Sequence, residues 1–504
     1  MIAASSSSAF AQLVQRVYGG KISADLARRV WDASRAGHTG IPMGSIGDDE
    51  RENLSQCLIA NGLLVMEFGQ LYLPRFAAME ARIAKALLDR RFGQIDHITQ
   101  NTQSTELDDY VRLVAPSAND QQANALRAGL SQPLLLLTGG PGTGKSFTLR
   151  ALCAALKLQN PKVRIAGTAP TANAAQRLAD VGATSVGTIH KLLGLSPSGR
   201  SVPFSNQLAL PFDLLIVDEA SMLSAELADQ LLGRLAPQTK LVLAGDRNQL
   251  ASIDAGEVFS QACVLDDCVV TLTENRRFAE LPDLSKLAQA LLDINAGADV
   301  IQSLAQPLMR PNLQRFEALI QYALEQYHQS QQSTKQLIHR FRVITATNDG
   351  PFGVNAINNA IDDALRREAK VARDTVWYPG RLIVIQRNDA STGLRNGQTG
   401  VCLQSNNQLL VRFDDEREFG VNRIPAHSSA WAITVHKSQG AEYDEVLFVL
   451  PVAGSVMISV SLIYTAITRA KTRLDIVGDV TVLGRASRED TGRASAIGVR
   501  LVST

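Results

Sequence analysis

Apolar and polar residues alternate along this chain in blocks whose spacing predicts an α/β protein. Short apolar runs such as Leu134–Leu137, Leu214–Val217 and Leu241–Ala244 are typical of strands buried on both faces of a parallel sheet. Between such runs lie helical patterns, for example from Phe147 to Leu158. Strands that alternate with helices favour helices packed on both faces of a mostly parallel sheet.

The first 110 residues have a different pattern and carry no chemical motif. Helical spacing occurs in Phe10–Val17, Leu26–Trp31 and Met79–Leu88, and Leu63–Leu73 alternates as in a hairpin over Gly69-Gln70. We predict a mainly helical N-terminal domain with a role in interaction or scaffolding.

A second α/β pattern begins at Val343 and is interrupted between Trp377 and about Ser429. Short β runs separated by the turn signals Asn388-Asp389 and Asn396-Gly397 occupy the interruption. This pattern predicts a small β-barrel inserted into a second α/β domain.

Composition limits the possible functions. At 504 residues and 45% hydrophobic content, the chain is long enough for three or four domains. The formal net charge is +1, so nucleic acid would have to bind in a local channel. The five cysteines form no C-x-x-C pair, which argues against a zinc site. The absence of an apolar leader or a long apolar span predicts a cytoplasmic protein without a membrane segment.

The stretch from Gly139 to Ser146, GGPGTGKS, fits the phosphate-binding loop G-x-x-x-x-G-K-[ST]. Its glycines allow successive backbone N–H groups to face phosphate oxygens at the start of a helix. Lys145 would then reach the β- and γ-phosphates of ATP, and the Ser146 hydroxyl would hold Mg²⁺.

Further residues around this loop complete a nucleotide site. Asp218 and Glu219 follow a buried strand, where Asp218 would hold Mg²⁺ through water and Glu219 would polarise the attacking water. Gln249 follows another strand and can sense the γ-phosphate, while Gln122 is placed to read an adenine edge. Arg277 is our choice for a phosphate contact.

Other polar positions predict a phosphodiester contact and a closing motion. Thr171 and the segment Thr188-Ile189-His190-Lys191 follow strand-like runs and offer hydroxyl and basic groups to a nucleic-acid backbone. For His190 and Lys191 a solvated helix start is an equally good interpretation. Arg469 lies in the second α/β domain, so it can complete the nucleotide site only when the two domains close.

The ordered blocks resemble superfamily 1 helicases, specifically superfamily 1B and the RecD family of alpha subunits of exodeoxyribonuclease V (RecBCD) complexes. The resemblance covers most of the chain and rests on GGPGTGKS, LLIVDEASM, LAGDRNQLASIDAG, GPFGVNAIN, RNDASTGLRNGQTGV, AITVHKSQGAEYDE and YTAITRAKTRL.

The resemblance implies two RecA-like P-loop domains that close on ATP, and an SH3-like β-barrel insertion in the second. The implied boundaries are 1–110 for the N-terminal interaction domain, 111–272 for RecA-like domain 1A with a small insertion at 196–212, 273–377 and 429–504 for the two parts of domain 2A, and 378–428 for insertion 2B.

The resemblance also implies roles for individual residues. Those around the nucleotide are Gln122, Gly140, Pro141, Gly142, Thr143, Gly144, Lys145, Ser146, Phe147, Asp218, Glu219, Gln249, Arg277, Gly440, Glu442 and Arg469. Those on the DNA side are Pro170, Thr171, Thr188, His190, Thr434 and His436.

The sequence departs from relatives in one block and agrees with a subgroup in another. Relatives read A-P-T-G-K-A-A where this chain has Ala169-Pro170-Thr171-Ala172-Asn173-Ala174-Ala175, so one lysine is missing and a DNA contact there is in doubt. The block 245–256 lacks the aromatic residue of 3′→5′ motors, which agrees with 5′→3′ polarity. The short N-terminal extension favours a subunit of a complex.

The sequence therefore predicts an ATP-driven 5′→3′ helicase, one motor of a RecBCD-type heterotrimer with RecB-like and RecC-like subunits, acting on single-stranded and duplex DNA in double-strand break repair and recombination. No nuclease site is recognisable. The alternatives are a scaffold or regulatory subunit that binds ATP and DNA without motor activity, and an RNA-directed or phosphate-sensing P-loop NTPase.

Overall fold

A computed structural model of the chain describes residues 21–53, 62–93, 104–195, 209–252, 254–275, 280–330, 333–406, 408–452, 458–486 and 493–503, together with Ser8, Ala11, Gln12, Val14 and Ile59. The predicted helix at Phe10–Val17 and most of the predicted insertion at 196–212 lie outside this part of the chain.

The helices of the described residues include the segments predicted at Leu26–Trp31, Met79–Leu88 and Phe147–Leu158. They are α1 (Lys21–Arg35), α2 (Asp48–Asn53), α3 (Pro74–Arg91), α4 (Ser104–Val114), α5 (Asp120–Ser131), α6 (Lys145–Gln159), α7 (Ala172–Asp180), α8 (Ile189–Leu192), α9 (Ala225–Leu232), α10 (Val258–Ala262), α11 (Pro282–Leu292), α12 (Ala298–Ala305), α13 (Phe316–Gln329), α14 (Thr334–His339), α15 (Val354–Glu368), α16 (Val435–Ser438), α17 (Val460–Ile467), α18 (Thr481–Gly484) and α19 (Ile497–Val502).

The N-terminal part combines helices with a small antiparallel sheet of order β1-β3-β2, formed by β1 (Gly40–Pro42), β2 (Val65–Glu67) and β3 (Gln70–Tyr72). The hairpin expected in Leu63–Leu73 is present, with its turn at Phe68-Gly69 rather than at Gly69-Gln70. Both turn residues have positive φ, and Gly69 adopts it at little cost.

The first lobe is built on a six-stranded parallel sheet of order β6-β5-β7-β8-β4-β9. Its strands are β4 (Leu134–Gly139), β5 (Ile165–Ala169), β6 (Ser185–Thr188), β7 (Leu214–Val217), β8 (Lys240–Gly245) and β9 (Val269–Leu272).

Alternate leucines of β4 explain why this strand reads as a continuous apolar run. Leu134 and Leu136 pack into one core with α3 and α9, whereas Leu135 and Leu137 pack into another with α5 and α6. Successive side chains of a strand point to opposite faces, so a strand covered on both sides must be apolar throughout. Helix α3 of the N-terminal part therefore contributes directly to the core of the first lobe.

The second lobe is built on a four-stranded parallel sheet of order β16-β10-β17-β18. Its strands are β10 (Phe341–Thr345), β16 (Ala432–Thr434), β17 (Tyr443–Val449) and β18 (Ala470–Val477). Helices α11 to α14 lie in the sequence between the two sheets, and they pack their apolar faces on the sheet of the second lobe. The two parallel sheets confirm the predicted α/β class with two RecA-like domains.

A five-stranded antiparallel sheet of order β14-β13-β12-β11-β15 lies between β10 and β16 in the sequence. Its strands are β11 (Leu382–Ile385), β12 (Thr399–Ser405), β13 (Gln408–Phe413), β14 (Glu418–Gly420) and β15 (His427–Ser429). It has its own small apolar core around Ile383, Cys402 and Phe413. The predicted β insertion is thus present, and its SH3-like character stays a prediction.

Candidate functional site: a phosphate loop at the interface of two lobes

The loop between β4 and α6 has the backbone geometry that its glycines predict. Gly142 and Gly144 have φ values of 82° and 94°, in the left-handed region that side chains other than glycine rarely adopt. A Cβ on Gly144 would lie 2.3 Å from the amide nitrogen of Gln122. Both the dihedral angle and the close approach therefore require glycine at this position.

Lys145 closes the loop in this structure. Its ammonium group donates hydrogen bonds to the carbonyl oxygens of Gly139 and, at 3.0 Å, of Gly140. The Thr143 hydroxyl donates to the Gly140 carbonyl at 2.8 Å. Ser146 is exposed in the first turn of α6, and Phe147 packs against the core behind the loop. The ammonium group therefore lies at the mouth of the loop, where it can exchange these carbonyl oxygens for those of an incoming phosphate.

Gln122 lies behind the loop and is 5% exposed. Its side chain accepts a hydrogen bond from the Asn119 N–H at 3.2 Å and donates one to the Thr143 carbonyl at 3.2 Å. The first bond belongs to a capping box at the start of α5. Gln122 thus fixes the loop against α5 here, and a contact with adenine stays a prediction.

Asp218 and Glu219 lie at the carboxyl end of β7, as predicted. Burial and the neighbouring Glu219 charge raise the pKa of Asp218 to about 6, while the charges of Arg177 and Lys145 act against this shift. The Asp218 carboxylate accepts a hydrogen bond from the Glu219 N–H at 2.9 Å. Glu219 itself has φ 51° and ψ 41°, a left-handed conformation that costs a non-glycine residue about 1–2 kcal/mol.

A third carboxylate, which our sequence reasoning missed, follows β8. Asp246 is 2% exposed and accepts hydrogen bonds from the Asn248 N–H at 3.0 Å and from the Gln249 amide at 3.2 Å. Burial raises the pKa of Asp246, and the charge of Lys145 opposes that shift. Gln249 is therefore attached to a buried acid that faces the phosphate-loop lysine. The signal was available, because Asp246 also directly follows a buried strand.

Helix α17 of the second lobe packs on the first lobe at this point. The Tyr464 hydroxyl hydrogen-bonds to Asp246 and lies 3.0 Å from the position a Cβ on Gly140 would take. The Thr465 hydroxyl accepts a hydrogen bond from the Leu250 N–H at 2.8 Å. We call this contact, between α17 and the loops after β4 and β8, the lobe interface.

Arg469 lies just after α17 and is 2% exposed. Its guanidinium donates to the carbonyl oxygens of Thr465 at 3.1 Å and Ala441 at 3.0 Å. Its charge also acts on Tyr464, which in turn bonds to Asp246. The arginine is thus bonded within its own lobe. Tyr464 lies between it and Asp246 on the phosphate-loop side of the interface.

The other arginine predicted to contact phosphate, Arg277, lies outside the described residues. The chain is described up to Asn275, whose amide donates to the Pro141 carbonyl at 2.6 Å. The segment that leads to Arg277 is therefore fixed to the phosphate loop.

The predicted DNA-side threonines share one local structure. Thr171, Thr188 and Thr434 each end a strand or follow it closely, and each caps the next helix by accepting a hydrogen bond from a backbone N–H at 3.3 Å. Pro170 precedes the first of these caps and is half-buried. The caps lie at the carboxyl edges of their sheets, where ligands of α/β proteins bind.

The two predicted histidines differ in their surroundings. His190 is exposed, whereas His436 is half-buried. Burial and the nearby positive charge of Arg493 lower the pKa of His436. Arg493 comes from the C-terminal segment, and it donates a hydrogen bond to the Asp254 carbonyl in the loop that follows Gln249. The C-terminal segment therefore reaches the edge on which the predicted DNA contacts lie.

Gly440 and Glu442 bring the second lobe close to α7 of the first. A Cβ on Gly440 would lie 3.1 Å from the Thr171 hydroxyl, and Gly440 has φ 73°. The negative charges of Glu442, Asp218 and Glu219 act on Arg177, a residue of α7 that our sequence reasoning also missed. Neither its type nor its spacing points to the nucleotide site, so only the folded arrangement reveals it.

The described residues contain no cluster of three or more His, Cys, Asp and Glu side chains that could hold a metal ion. A Mg²⁺ ion that arrives with a nucleotide needs only one or two protein oxygens, since phosphates and waters supply the rest. The Ser146 hydroxyl and the buried Asp218 carboxylate fit that requirement, because a cation would offset the cost of an ionised Asp218. No helix in the described part of the chain has the length and apolar character of a membrane span.

Comparison with protein families gives two matches along the chain. Residues 117–306 match the AAA domain family, and residues 429–477 match the UvrD-like helicase C-terminal domain family. The first match contains the phosphate loop and Asp218, and the second contains Thr434, Gly440 and Arg469.

Full-length relatives are similar over most of their length. The RecBCD enzyme subunit RecD of Mycolicibacterium smegmatis is 33% identical over 428 residues, which are 78% of this chain and 76% of that protein. The RecBCD enzyme subunit RecD of Haemophilus influenzae is 29% identical over 75% of this chain and 72% of that protein. The ATP-dependent RecD2 DNA helicase of Deinococcus radiodurans is 29% identical over 92% of this chain and 62% of that protein. Among solved structures, the Pif1 helicase from Candida albicans has a TM-score of 0.48 and 18% identity, covering 74% of this chain and 97% of that one.

Proposed function

The chain belongs to the RecD family and is an ATP-dependent DNA helicase, and from that premise we propose that it moves 5′→3′ along single-stranded DNA as one motor of a RecBCD-type complex. The observation that carries this proposal is the lobe interface. Helix α17 of the second lobe lies against the phosphate loop through Tyr464 and Asp246. A nucleotide bound at that loop must alter the contact between the lobes.

The residues of the first lobe bind and orient the nucleotide. Lys145 exchanges its bonds to two loop carbonyls for the β- and γ-phosphates, with the loop from Gly140 to Ser146 around them and Gln122 beside the base. Mg²⁺, held by Ser146 and Asp218, would neutralise phosphate charge when bound. Glu219 orients the attacking water, and Gln249 reports the γ-phosphate through Asp246.

The second lobe supplies the residues that make hydrolysis depend on closure. Arg469 exchanges one of its bonds to the Thr465 and Ala441 carbonyls for the γ-phosphate, and Arg277 supplies a further phosphate contact. Tyr464 lies in α17, and Arg469 follows two residues after its end and donates to the Thr465 carbonyl of that helix, so a movement of α17 moves both. Hydrolysis removes the γ-phosphate and weakens the attraction that holds the lobes together.

The DNA strand lies across the carboxyl edges of both sheets. Thr171 and Thr188 contact its phosphates from the first lobe, and Thr434 contacts them from the second. Pro170, His190 and His436 complete this surface. Opening and closing of the lobes changes the distance between the two sets of contacts, which yields a step along the strand.

Three finer features of the proposal rest on similarity. The polarity is proposed by resemblance, with which the lack of an aromatic residue in the loop 245–256 agrees. The names of the relatives describe subunits of RecBCD enzymes, so we propose RecB-like and RecC-like partners and a role in double-strand break repair. The domain boundaries 1–110, 111–272, 273–377, 378–428 and 429–504 remain part of the proposal.

Unwinding assays with tailed duplexes test this function. The purified chain, alone and with RecB-like and RecC-like subunits, is given duplexes with a 5′ tail or a 3′ tail, with ATP. Preferential unwinding of 5′-tailed duplexes supports the proposal. Preference of the isolated chain for 3′ tails contradicts the polarity. If Lys145→Gln left unwinding by the assembled complex unchanged, the chain would be a scaffold.

A further inference from the structure

Arg177 links acidic residues of both lobes. Its guanidinium donates a hydrogen bond to the Glu219 carboxylate at 3.0 Å, and this ion pair is partly exposed, at 43% and 18% of the two side chains. The charges of Asp218, from the same lobe, and Glu442, from the second lobe, also stabilise the guanidinium. One cation therefore interacts with the proposed water-orienting glutamate and with the opposite side of the nucleotide cleft.

The helix that carries Arg177 begins at a proposed DNA contact. Thr171 caps α7, and Arg177 lies six residues further along, which corresponds to about 9 Å of helix. Ala174, Ala175 and Leu178 are buried, so the helix is packed along one face. A movement of its first turn therefore carries Arg177 with it.

The ion pair engages the carboxylate on which hydrolysis depends. Glu219 already holds a left-handed backbone conformation, so its side-chain direction is fixed by the short turn after β7. While one carboxylate oxygen accepts from Arg177, the carboxylate is held toward α7 and that oxygen is occupied by the arginine. Release of this bond leaves both carboxylate oxygens available to accept from and orient a water.

We propose that Arg177 is a positioning residue that makes ATP hydrolysis depend on DNA: it restrains Glu219 until DNA at Thr171 shifts α7 and releases the carboxylate. This inference rests on the proposed function, since it assumes that Thr171 contacts DNA and Glu219 orients water. It concerns a residue to which the helicase activity alone assigns no role.

The test compares steady-state ATP hydrolysis by the full chain with and without oligothymidylate. Arg177→Gln keeps most of the side-chain stem and removes the charge. We expect its DNA-free rate to rise about 3- to 10-fold and its stimulation by DNA to fall by a similar factor. Arg177→Lys keeps the charge without the planar donor fork, so it should restore part of the stimulation. Arg150→Gln, at an exposed position on α6, is the matched control and should leave both rates unchanged.

Three results for the variants and one for the wild-type chain overturn the inference. Equal losses of both rates in Arg177→Gln and Arg177→Lys would indicate a structural role, and an unchanged ratio would indicate no role in coupling. A loss of oligothymidylate affinity greater than 2-fold would identify Arg177 as a DNA contact instead. If DNA does not stimulate ATP hydrolysis by the wild-type chain, the proposed function fails together with this inference. If stimulation of the wild-type chain is normal and one of the three variant results is obtained, only this inference fails.

Discussion

One edge strand of each parallel sheet ends at a threonine and leads into a similar sequence, Thr188-Ile189-His190-Lys191 in the first lobe and Thr434-Val435-His436-Lys437 in the second. In both, the threonine caps a four-residue helix by accepting from the lysine N–H at 3.3 Å. The surroundings differ. Thr188 is half-buried and His190 exposed, whereas Thr434 is 6% exposed and His436 is half-buried.

This difference shows how similar sequences come to lie in different surroundings. The first-lobe segment follows the edge strand β6. The phosphate loop of the same sheet follows a different strand, β4. The second-lobe segment continues into Gln439, whose amide donates to the Leu250 carbonyl, and into Gly440, which lies against Thr171. The second-lobe segment is therefore joined to the lobe interface, and under the proposed function a DNA contact at Thr434 would be coupled to the phosphate loop. The predictions below separate what the two lobes contribute.

The largest expected effect concerns the first lobe. Lys145→Ala should lower DNA-stimulated ATP hydrolysis on the order of 1000-fold, because it removes the charge that faces the phosphates. The fold should persist, since Lys145 bonds only to two loop carbonyls. Hydrolysis is measured at saturating ATP, and the thermal melting temperature checks the fold. Lys162→Ala, at an exposed position, is the control. If Lys145→Ala lowered ATP hydrolysis less than 10-fold, the ATP-binding site would have to lie elsewhere.

A smaller loss should follow a change in the second lobe. Arg469→Lys keeps a positive charge but cannot reproduce the two guanidinium bonds to the Thr465 and Ala441 carbonyls. We expect hydrolysis to fall on the order of 100-fold with little change in the nucleotide dissociation constant, because an arginine that acts on the transferring phosphoryl group acts late. Arg485→Lys is exposed and serves as the control. If the nucleotide affinity and the hydrolysis rate fell by the same factor, Arg469 would contact the bound ATP before the reaction rather than act on the transferring phosphoryl group.

The contrast between these two residues also shows what the sequence could predict. The phosphate loop, the strand before Asp218 and both parallel sheets are encoded locally, by glycine spacing and by apolar runs, and these predictions were confirmed in the fold. Tyr464, Thr465 and Arg177 escaped prediction because their partners lie in the other lobe or on another helix. The position of Asp246 directly after a buried strand could have been used to find it, whereas its contact with Tyr464 of α17 could not be read from the sequence.

The next largest effect is expected for the two threonines that begin the similar segments, Thr188 and Thr434. Thr188→Val and Thr434→Val each remove one helix cap and one proposed phosphate contact at nearly constant volume. Because a cap or hydrogen bond of this kind contributes about 1 kcal/mol, oligothymidylate affinity should fall about 5-fold in each case. Thr188→Ser and Thr434→Ser keep the hydroxyl and should restore binding.

ATP hydrolysis should separate the two valine variants. Only Thr434 lies in the segment that continues to Gly440 and the lobe interface, so Thr434→Val should also reduce stimulation by DNA at saturating oligothymidylate. Thr188→Val should reach normal stimulation once enough DNA is added. If both valine variants showed the same stimulation at saturating oligothymidylate, the Thr188 and Thr434 segments would not differ in their coupling to the nucleotide site.

The smallest effect should come from adding a charge to the first lobe. Asn173 is exposed in the first turn of α7, and it lies two residues from the Thr171 cap. If DNA passes this point, Asn173→Lys adds one phosphate contact. The slope of log affinity against log salt concentration should then steepen by about 0.7, which is the value for one neutralised phosphate of a single strand. Asn173→Gln lengthens the side chain without charge and should keep the original slope. A lysine that leaves the slope unchanged would show that the strand does not pass the start of α7, and the DNA path would then depend on Thr188 and Thr434 alone.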